Sequence, residues 1–236
     1  MSLVIKSPCK VNLLLNVLCR REDGFHEIES IMQPVPIYDE LHIERAGSGV
    51  ELTCTNPKLS VGVDNLVHRA ASAFLKLTKF GGVRIHLVKN LPLAAGIGAG
   101  SSNAAMTVRG LNELNNQPLS AGSILELAAK LGSDAPFFLQ DDPALVTGRG
   151  EFVRSLKPFS ALIGSGMLLV HPGFGVNTPW AYQALAKNPE PFEVEGHAER
   201  MINSLGEGRL EGFNNSLEAA VFPKFPVLPL IKKFFF

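Results

Sequence analysis

The residues best suited to chemistry lie in a glycine-rich segment near the middle of this 236-residue chain. Residues 91–103 read Leu-Pro-Leu-Ala-Ala-Gly-Ile-Gly-Ala-Gly-Ser-Ser-Asn, between a predicted strand over 83–88 and a predicted helix over 104–114. Alternating glycines let the backbone approach an anion closely, and backbone N–H groups and the positive end of the helix dipole then face it. Ser101 and Ser102 can cap the helix and also donate hydrogen bonds to phosphate oxygens. The segment therefore predicts a phosphate-binding loop.

Two better-known phosphate motifs do not match this segment, because their spacing differs. A P-loop ends in Gly-Lys-Ser/Thr, and no lysine follows Gly100. The dinucleotide-binding fingerprint needs a glycine five residues after Gly96, where Ser101 stands. A tight strand-to-helix turn explains a pair of glycines equally well, but three alternating glycines before Ser-Ser-Asn favour phosphate binding.

Two charged side chains occupy positions where burial requires a partner. Lys10 stands at the start of a predicted buried strand over 11–19, where an ammonium is costly unless an anion meets it. Asp134 follows a predicted helix and precedes two phenylalanines, so its carboxylate should be paired with a cation or hydrogen-bonded. Each has an ordinary alternative, namely a surface lysine at a strand end and a helix N-cap. The charged run 20–27, taken alone, predicts a hairpin turn.

Strand-like runs and amphipathic helical stretches alternate along the first part of the chain, which predicts an α/β protein. The runs 41–44 and 50–55, joined by Ala-Gly-Ser-Gly, predict a hairpin. Asp64 is the expected N-cap of a helix with one apolar face. Ser120 is the expected start of another helix, which Gly132 ends.

The composition changes near residues 154–165, which predicts a domain boundary there. Beyond it, the run 167–170 predicts an apolar strand and 197–205 predicts a helix. The apolar tail, 231–236, has the pattern of a helix cut in mid-course.

Composition and charge exclude several classes of protein. Lysine and arginine number 22, as do aspartate and glutamate, so the formal net charge is zero and a strongly basic nucleic-acid binder is excluded. Three cysteines without a CxxC pair exclude a disulfide framework and a zinc knuckle, and they fit a reducing cytoplasm. The scattered histidines predict no metal site. Since neither a signal peptide nor a membrane-length apolar run is apparent, we expect a cytoplasmic protein with no membrane or nucleic-acid partner.

Taken in order, these motifs resemble those of the GHMP family of small-molecule kinases. The matching stretches are Pro-x-Lys-Val-Asn-Leu, Asp-Gly-Phe-His-Glu-Ile, Leu-Pro-x-x-x-Gly-x-Gly-x-Gly-Ser-Ser-Asn-Ala-Ala and Leu-Gly-x-Asp-x-Pro-Phe-Phe. The resemblance covers residues 8–151 with consistent spacing and 170–225 more weakly. It implies an α/β (α+β), two-domain GHMP-kinase fold. A ribosomal-protein-S5-like, ATP-binding domain would occupy 1–156, and a ferredoxin-like domain, shorter than the family's, would occupy 157–236.

The resemblance further implies an ATP-dependent kinase that acts on an alcohol. The run Asp-Gly-Phe-His-Glu, together with residues 28–33, narrows the substrate to a cytidine diphosphate sugar alcohol, phosphorylated on its 2-hydroxyl on the non-mevalonate route to isoprenoid precursors. Lys10 and Asp134 would be the catalytic pair. Asp134 would accept or orient the proton of the attacking hydroxyl, while Lys10 would keep Asp134 ionised and stabilise charge on the nucleophile.

The resemblance also implies which residues bind the two small molecules. ATP, with Mg²⁺ bridging its phosphate oxygens, would be bound by Pro92, Leu93, Ala94, Ala95, Gly96, Ile97, Gly98, Ala99, Gly100, Ser101 and Ser102, and near its adenine by Asn65 and Lys89. The cytidine diphosphate end of the substrate would be bound by Asn12, Phe25 and His26. No residue is implied as a direct metal ligand.

Departures from the family's pattern affect both groups of residues. Phe25 stands where a tyrosine is usual, so it keeps a ring for stacking but lacks the hydroxyl. Ala94, Ala95 and Ala99 replace frequent glycines, which is tolerable where φ is negative. The family's last glycine motif should follow a helix that begins near Val227, and the sequence stops before it.

Other readings of the chain stay open at this point. It could be a GHMP kinase for another small alcohol, or a nucleotide-binding module that is inactive because its C-terminus is short. An RNA-binding protein built on the same core conflicts with the zero net charge. Both a monomer and a homodimer are compatible with the sequence.

Overall fold

A computed structural model describes residues 2–187, 192–193 and 195–235, which form two compact units. Unit 1 comprises Met1–Lys10, Pro34–Pro92 and Ile97–Asp141, and unit 2 comprises Val11–Gln33, Leu93–Gly96 and Asp142–Phe236. The long strands β1 (Ser2–Arg20) and β2 (His26–Ala46) each contribute residues to both units. These units are therefore not separated by a single cut in the sequence, and the domains over 1–156 and 157–236 stay a prediction.

The strands of unit 1 are the first half of β1, the second half of β2, β3 (Gly49–Cys54) and β4 (Gly82–Val88). β4 pairs antiparallel with β2 and parallel with β3, so it lies between them. The predicted hairpin of β2 and β3 is wrong for this reason. Arg84 of β4 forms ion pairs with Glu44 at 2.7 Å and Glu51 at 2.8 Å, one on each neighbouring strand. Buried Val83, Ile85 and Leu87 make β4 the apolar centre of this sheet.

Three helices belong to unit 1, namely α1 (Leu66–Thr78), α2 (Ala99–Leu114) and α3 (Ala121–Leu131). The side chain of Asn65 caps α1, so the prediction of Asp64 as N-cap is wrong by one residue. The predicted limits of α3 are confirmed, because the Ser120 side chain accepts from the Ser123 N–H and the helix ends at Gly132. A short 3₁₀ turn, Pro136–Leu139, follows.

Unit 2 contains the first half of β2, which pairs antiparallel with β5 (Ala144–Gly148). β5 pairs antiparallel with β6 (Phe152–Ser155), and β1 pairs parallel with the two-residue β7 (Asn214–Asn215). Its helices are α4 (Thr178–Leu185), α5 (His197–Gly206), α6 (Glu218–Val221) and α7 (Val227–Phe235). The prediction of a helix over 197–205 is confirmed.

Two apolar clusters hold unit 2 together. In one cluster Leu14 and Ile31 pack with Met201 and Leu205 of α5. The other contains Leu15, Val17, Ile28 and Leu185. The strands β1 and β2 contribute residues to both clusters. The packing of the clusters therefore holds these two strands, and the polar residues at the strand ends, in place.

The segment 167–170 is irregular, so its prediction as a strand is wrong. Its residues form no strand pairing within the described part of the chain, and Leu168 is 72% exposed. An apolar run alone does not make a strand, because the backbone needs a neighbour for its hydrogen bonds.

Among the described residues, no helix has both the length and the apolar character that crossing a membrane requires.

Candidate active site

The glycine-rich loop lies between β4 and α2, and two of its glycines are held in the left-handed region. Gly96 has φ 73° and Gly98 has φ 70°, a conformation that favours glycine. A Cβ on Gly98 would lie 2.7 Å from Cζ of Phe138 and 3.1 Å from Cγ of Lys10. Glycine at 98 thus serves both the backbone conformation and the close approach of Lys10.

Helix α2 begins at Ala99 and has Gly98 as its N-cap, without a hydrogen bond from a capping side chain. The prediction that Ser101 and Ser102 cap it is therefore wrong, because both lie inside its first turn. The N–H of Ser102 donates to the Gly98 carbonyl at 2.9 Å, which is the first hydrogen bond of the helix. The N–H groups of residues 99–101 lie before this bond, so the helix itself offers them no acceptor. Such a helix start suits an anion.

Only one of the two loop serines is accessible. Ser102 is fully buried, and its Oγ lies 2.8 Å from Oγ of Ser7 on β1. Ser101 is partly exposed. Of the two hydroxyl groups expected to face phosphate, that of Ser102 is already engaged inside unit 1.

Lys10 and Asp134 lie together in unit 1, as the family resemblance implies, and their catalytic role stays a prediction. Lys10 Nζ is 3.8 Å from Asp134 Oδ2, with the lysine side chain 6% and the aspartate side chain 32% exposed. The N–H of Lys10 donates to the carbonyl of Ile97 at 3.0 Å, which ties β1 to the loop. Asp134 stands in the turn after α3, where the Ala135 N–H donates to the Gly132 carbonyl at 3.1 Å. The cation, the accessible carboxylate and Gly98 at the start of α2 thus lie together in unit 1.

Asn65 and Lys89, expected near the adenine, are engaged in contacts within unit 1. Asn65 Oδ1 accepts from the Val67 N–H at 2.8 Å, and its Nδ2 donates to the Ser60 carbonyl at 2.6 Å. Lys89 Nζ is buried and donates to Asp39 Oδ2 at 2.6 Å and to the Leu91 carbonyl at 2.9 Å. Lys89 thus holds the chain just before the loop, and Asn65 caps α1. A role of either residue toward adenine stays a prediction.

The residues expected to bind the base belong to unit 2. His26 is 8% exposed, and its Nε2 has no hydrogen-bond partner among the described residues. Its ring stacks on Tyr182 with centroids 5.3 Å apart. Burial lowers the pKa of His26, and the charge of Arg20 lowers it further, so the neutral imidazole is favoured. Asn12 Nδ2 donates to Ser30 Oγ at 2.7 Å.

Phe25 is 50% exposed, and its ring has a cationic neighbour that the sequence does not reveal. The guanidinium carbon of Arg149 lies 4.8 Å from the ring centroid. Arg149 also pairs with Glu151 at 3.4 Å. No motif marks Arg149, because a turn after β5 that contains arginine and glutamate is ordinary at a surface.

One alanine of the loop adopts the conformation that glycine would favour. Ala94 has φ 53°, so this substitution does not meet the condition of a negative φ under which alanine is tolerated without strain. Its carbonyl accepts from the Val176 N–H at 3.1 Å within unit 2. A Cβ on Gly175 would lie 2.6 Å from the Ala94 Cβ. The methyl group at 94 thus requires glycine at 175.

The chain is similar to known kinases over nearly its whole length. The sequence model "GHMP kinases N terminal domain" matches residues 65–142. A protein of Pelobacter propionicus named 4-diphosphocytidyl-2-C-methyl-D-erythritol kinase is 37% identical over 242 residues, covering 98% of this chain and 81% of the relative. A protein of the same name from Citrifermentans bemidjiense is 38% identical over 234 residues, with the same coverage of 98% and 81%.

Solved structures agree with these sequence matches. The crystal structure of a 4-(cytidine 5'-diphospho)-2C-methyl-D-erythritol kinase superposes with a TM-score of 0.79 at 35% identity, covering 97% of this chain and 81% of that one. Mevalonate kinase of Methanococcus jannaschii matches with a TM-score of 0.56 at 12% identity, covering 88% and 71% of the two chains. The second likeness concerns the fold alone.

Proposed function

Since the chain belongs to the GHMP kinase family, we propose that it uses ATP to phosphorylate the 2-hydroxyl of 4-diphosphocytidyl-2-C-methyl-D-erythritol, a step toward isoprenoid precursors. Two relatives that bear the name of this kinase, at 37% and 38% identity over 98% of the chain, support the choice of substrate. The observation that carries the chemistry is the Lys10–Asp134 pair, 3.8 Å apart in the same unit as Gly98.

Asp134 is the proposed acceptor of the hydroxyl proton. With 32% of its side chain exposed it is accessible to a substrate, whereas the Lys10 side chain is almost completely enclosed. As the proton leaves, the hydroxyl oxygen forms a bond to the γ-phosphorus, and the bond from that phosphorus to the bridging oxygen of ADP breaks. The Lys10 ammonium stabilises the negative charge on the attacking oxygen and favours the ionised form of Asp134.

The loop is the proposed site for the phosphates of ATP. Gly98 and the first turn of α2, both in unit 1, present backbone N–H groups, which suit phosphate oxygens and cost no reorganisation when charge develops. Bound Mg²⁺ would neutralise charge on the phosphates. Ser101, which is partly exposed, is the loop residue whose hydroxyl would help to hold it.

In unit 2, His26 is the residue proposed to recognise the base by a hydrogen bond. The buried Nε2 of His26, which has no partner among the residues that the structure describes, gains a hydrogen bond when a ligand supplies the complementary group. A neutral imidazole can donate or accept there, and cytosine offers both kinds of group on its pairing edge. The exposed ring of Phe25 provides an apolar face on which the base can stack.

A coupled assay of ADP release with the cytidylated alcohol tests the proposal. We expect ATP- and substrate-dependent turnover that cytidine nucleotides inhibit competitively. Asp134→Asn should abolish most of this turnover, whereas Asp141→Asn, at a carboxylate whose side chain is 88% exposed, should not. Turnover of another alcohol that cytidine nucleotides leave untouched would point to a different substrate, and ATP binding without any turnover would point to an inactive binding module.

A further inference from the structure

The carboxylate of Asp39, on β2, is completely buried in unit 1 and accepts four hydrogen bonds. Its Oδ1 accepts from the N–H groups of Asn90 and Leu91, both at 2.8 Å. Its Oδ2 accepts from Lys89 Nζ at 2.6 Å and from Asn103 Nδ2 at 3.0 Å. Four donors on one carboxylate offset the cost of burying its charge.

These donors come from both ends of the glycine-rich loop. Residues 89–91 immediately precede Pro92, where the loop begins, and Asn103 follows Ser102 in the first turns of α2. One side chain on β2 therefore holds the point where the chain leaves β4 and the helix into which it continues. Because the loop is closed on a single anchor, its ends cannot separate without breaking a buried hydrogen bond.

A second strand reinforces the anchor on the helix side. Asn103 Nδ2 also donates to Ser7 Oγ at 2.9 Å, and Ser7 Oγ lies 2.8 Å from Ser102 Oγ. Ser7, Ser102 and Asn103 are all buried. The network therefore links β1, β2, the end of β4 and the start of α2.

We propose that Asp39 is a positioning residue, which fixes the two ends of the loop so that its backbone N–H groups are already in place when the phosphates of ATP bind. It acts through Lys89, Asn90, Leu91 and Asn103 and touches no substrate itself. We call the four hydrogen bonds of Asp39 the clamp. The proposal rests on the proposed function only in assigning ATP to the loop, because the clamp is a property of the free protein.

The substitution Asp39→Asn would break one half of the clamp. An asparagine can keep its oxygen toward the two backbone N–H groups, but its NH₂ group would then face the donors of Lys89 and Asn103. Because this also leaves a buried ammonium without its carboxylate, the useful variant is Asp39→Asn combined with Lys89→Met, which removes both charges. Asn103→Ala cuts only the helix side and leaves the Asp39–Lys89 pair intact.

The test compares these variants with Ile85→Val, a core change on β4 outside the clamp. We expect the double variant and Asn103→Ala to lower kcat/KM for ATP by about 10-fold or more, since small misplacements of binding groups are costly. The KM for the cytidylated alcohol should change much less. Amide hydrogen exchange over residues 92–102 should become faster in both variants, relative to Ile85→Val at equal loss of melting temperature.

Two results would overturn the clamp. One is an unchanged kcat/KM for ATP in both variants, and the other is unchanged amide hydrogen exchange over residues 92–102 in both variants. The exchange experiment needs no ATP, so it decides the matter even if the wild-type protein fails to turn over the proposed substrate. If the double variant does not fold, Asn103→Ala alone gives the answer.

Discussion

The backbone N–H of Lys10 donates to the carbonyl of Ile97, while the Lys10 ammonium lies 3.8 Å from Oδ2 of Asp134. The same residue thus holds the loop with its main chain and faces the carboxylate with its side chain. The Cβ that Gly98 lacks would lie 3.1 Å from Lys10 Cγ, so the lysine stem passes directly over the loop. One residue in the middle of β1 therefore positions both the charge and the glycine-rich loop.

Replacing either member of the pair should affect the chemical step more than binding. We expect Asp134→Asn and Lys10→Met to lower kcat by about 10²- to 10⁴-fold, the usual contribution of a positioned acid–base group. The KM for ATP should change little, because the proposed phosphate contacts come mainly from the loop. Steady-state kinetics with circular dichroism as a folding check measures this, and a loss in kcat of less than about threefold for Asp134→Asn would exclude it as the proton acceptor.

Gly96 and Gly98 offer a matched comparison of strain and close contact. Both have left-handed φ, but nothing lies within 4 Å of a Cβ at 96, whereas one at 98 would meet Phe138 at 2.7 Å. Gly96→Ala should therefore lower the free energy of unfolding by about 1–2 kcal/mol, the cost of left-handed backbone for alanine. Gly98→Ala should cost more and should also raise the KM for ATP. Equal losses in thermal or urea unfolding would show that the contact with Phe138 relaxes freely.

The sequence predicts local structure well where short-range signals act alone. Ser120 and Gly132 delimit α3 because a side-chain cap and a terminal glycine work within one turn. The prediction of a hairpin of β2 and β3 is wrong. Their connection resembles a turn, but a later strand, β4, lies between them and forms backbone hydrogen bonds with both. No residue pattern within one segment predicts which strands, distant in the sequence, pair with each other.

The same distinction applies to the residues of the candidate site, of which some are predictable from local sequence and others are not. The glycine spacing predicts a phosphate loop by itself, whereas pairing of Lys10 with Asp134 follows only from the order of motifs shared with a family. Asp39 has no signal, since an acid between Tyr38 and Glu40 resembles any surface strand. Its burial and its four donors emerge only when β2, β4 and α2 come together.

Ala94 and Gly175 should show coupled effects on stability. Gly175→Ala places a Cβ 2.6 Å from the Ala94 Cβ and 2.9 Å from its carbonyl oxygen, and overpacking of this kind typically costs about 1–3 kcal/mol. Ala94→Gly relieves left-handed strain of about 1–2 kcal/mol, offset in part by greater freedom of the unfolded chain. The double variant should recover part of the loss caused by Gly175→Ala. Strict additivity in a double-mutant cycle of urea unfolding would contradict a direct contact.

His26 should make stability depend on pH in the weakly acidic range. Its pKa in the folded protein is lowered below 6.5 by burial and by Arg20, so between the two pKa values the unfolded chain binds more protons than the folded one. The free energy of unfolding therefore rises with pH, with a slope of at most about 1.4 kcal/mol per pH unit for one proton. The contribution is fully present above pH 6.5 and is lost as the pH falls through and below that value. We expect His26→Phe to flatten the urea-unfolding profile between pH 7.5 and 5.5, and the exposed His171→Phe to leave it unchanged. The KM for the cytidylated substrate should rise as the pH falls through the lowered pKa of His26 in the folded protein, because protonation changes the hydrogen bonds that the ring can form with the base. A parallel acid loss in wild type and His26→Phe would assign the dependence to other groups.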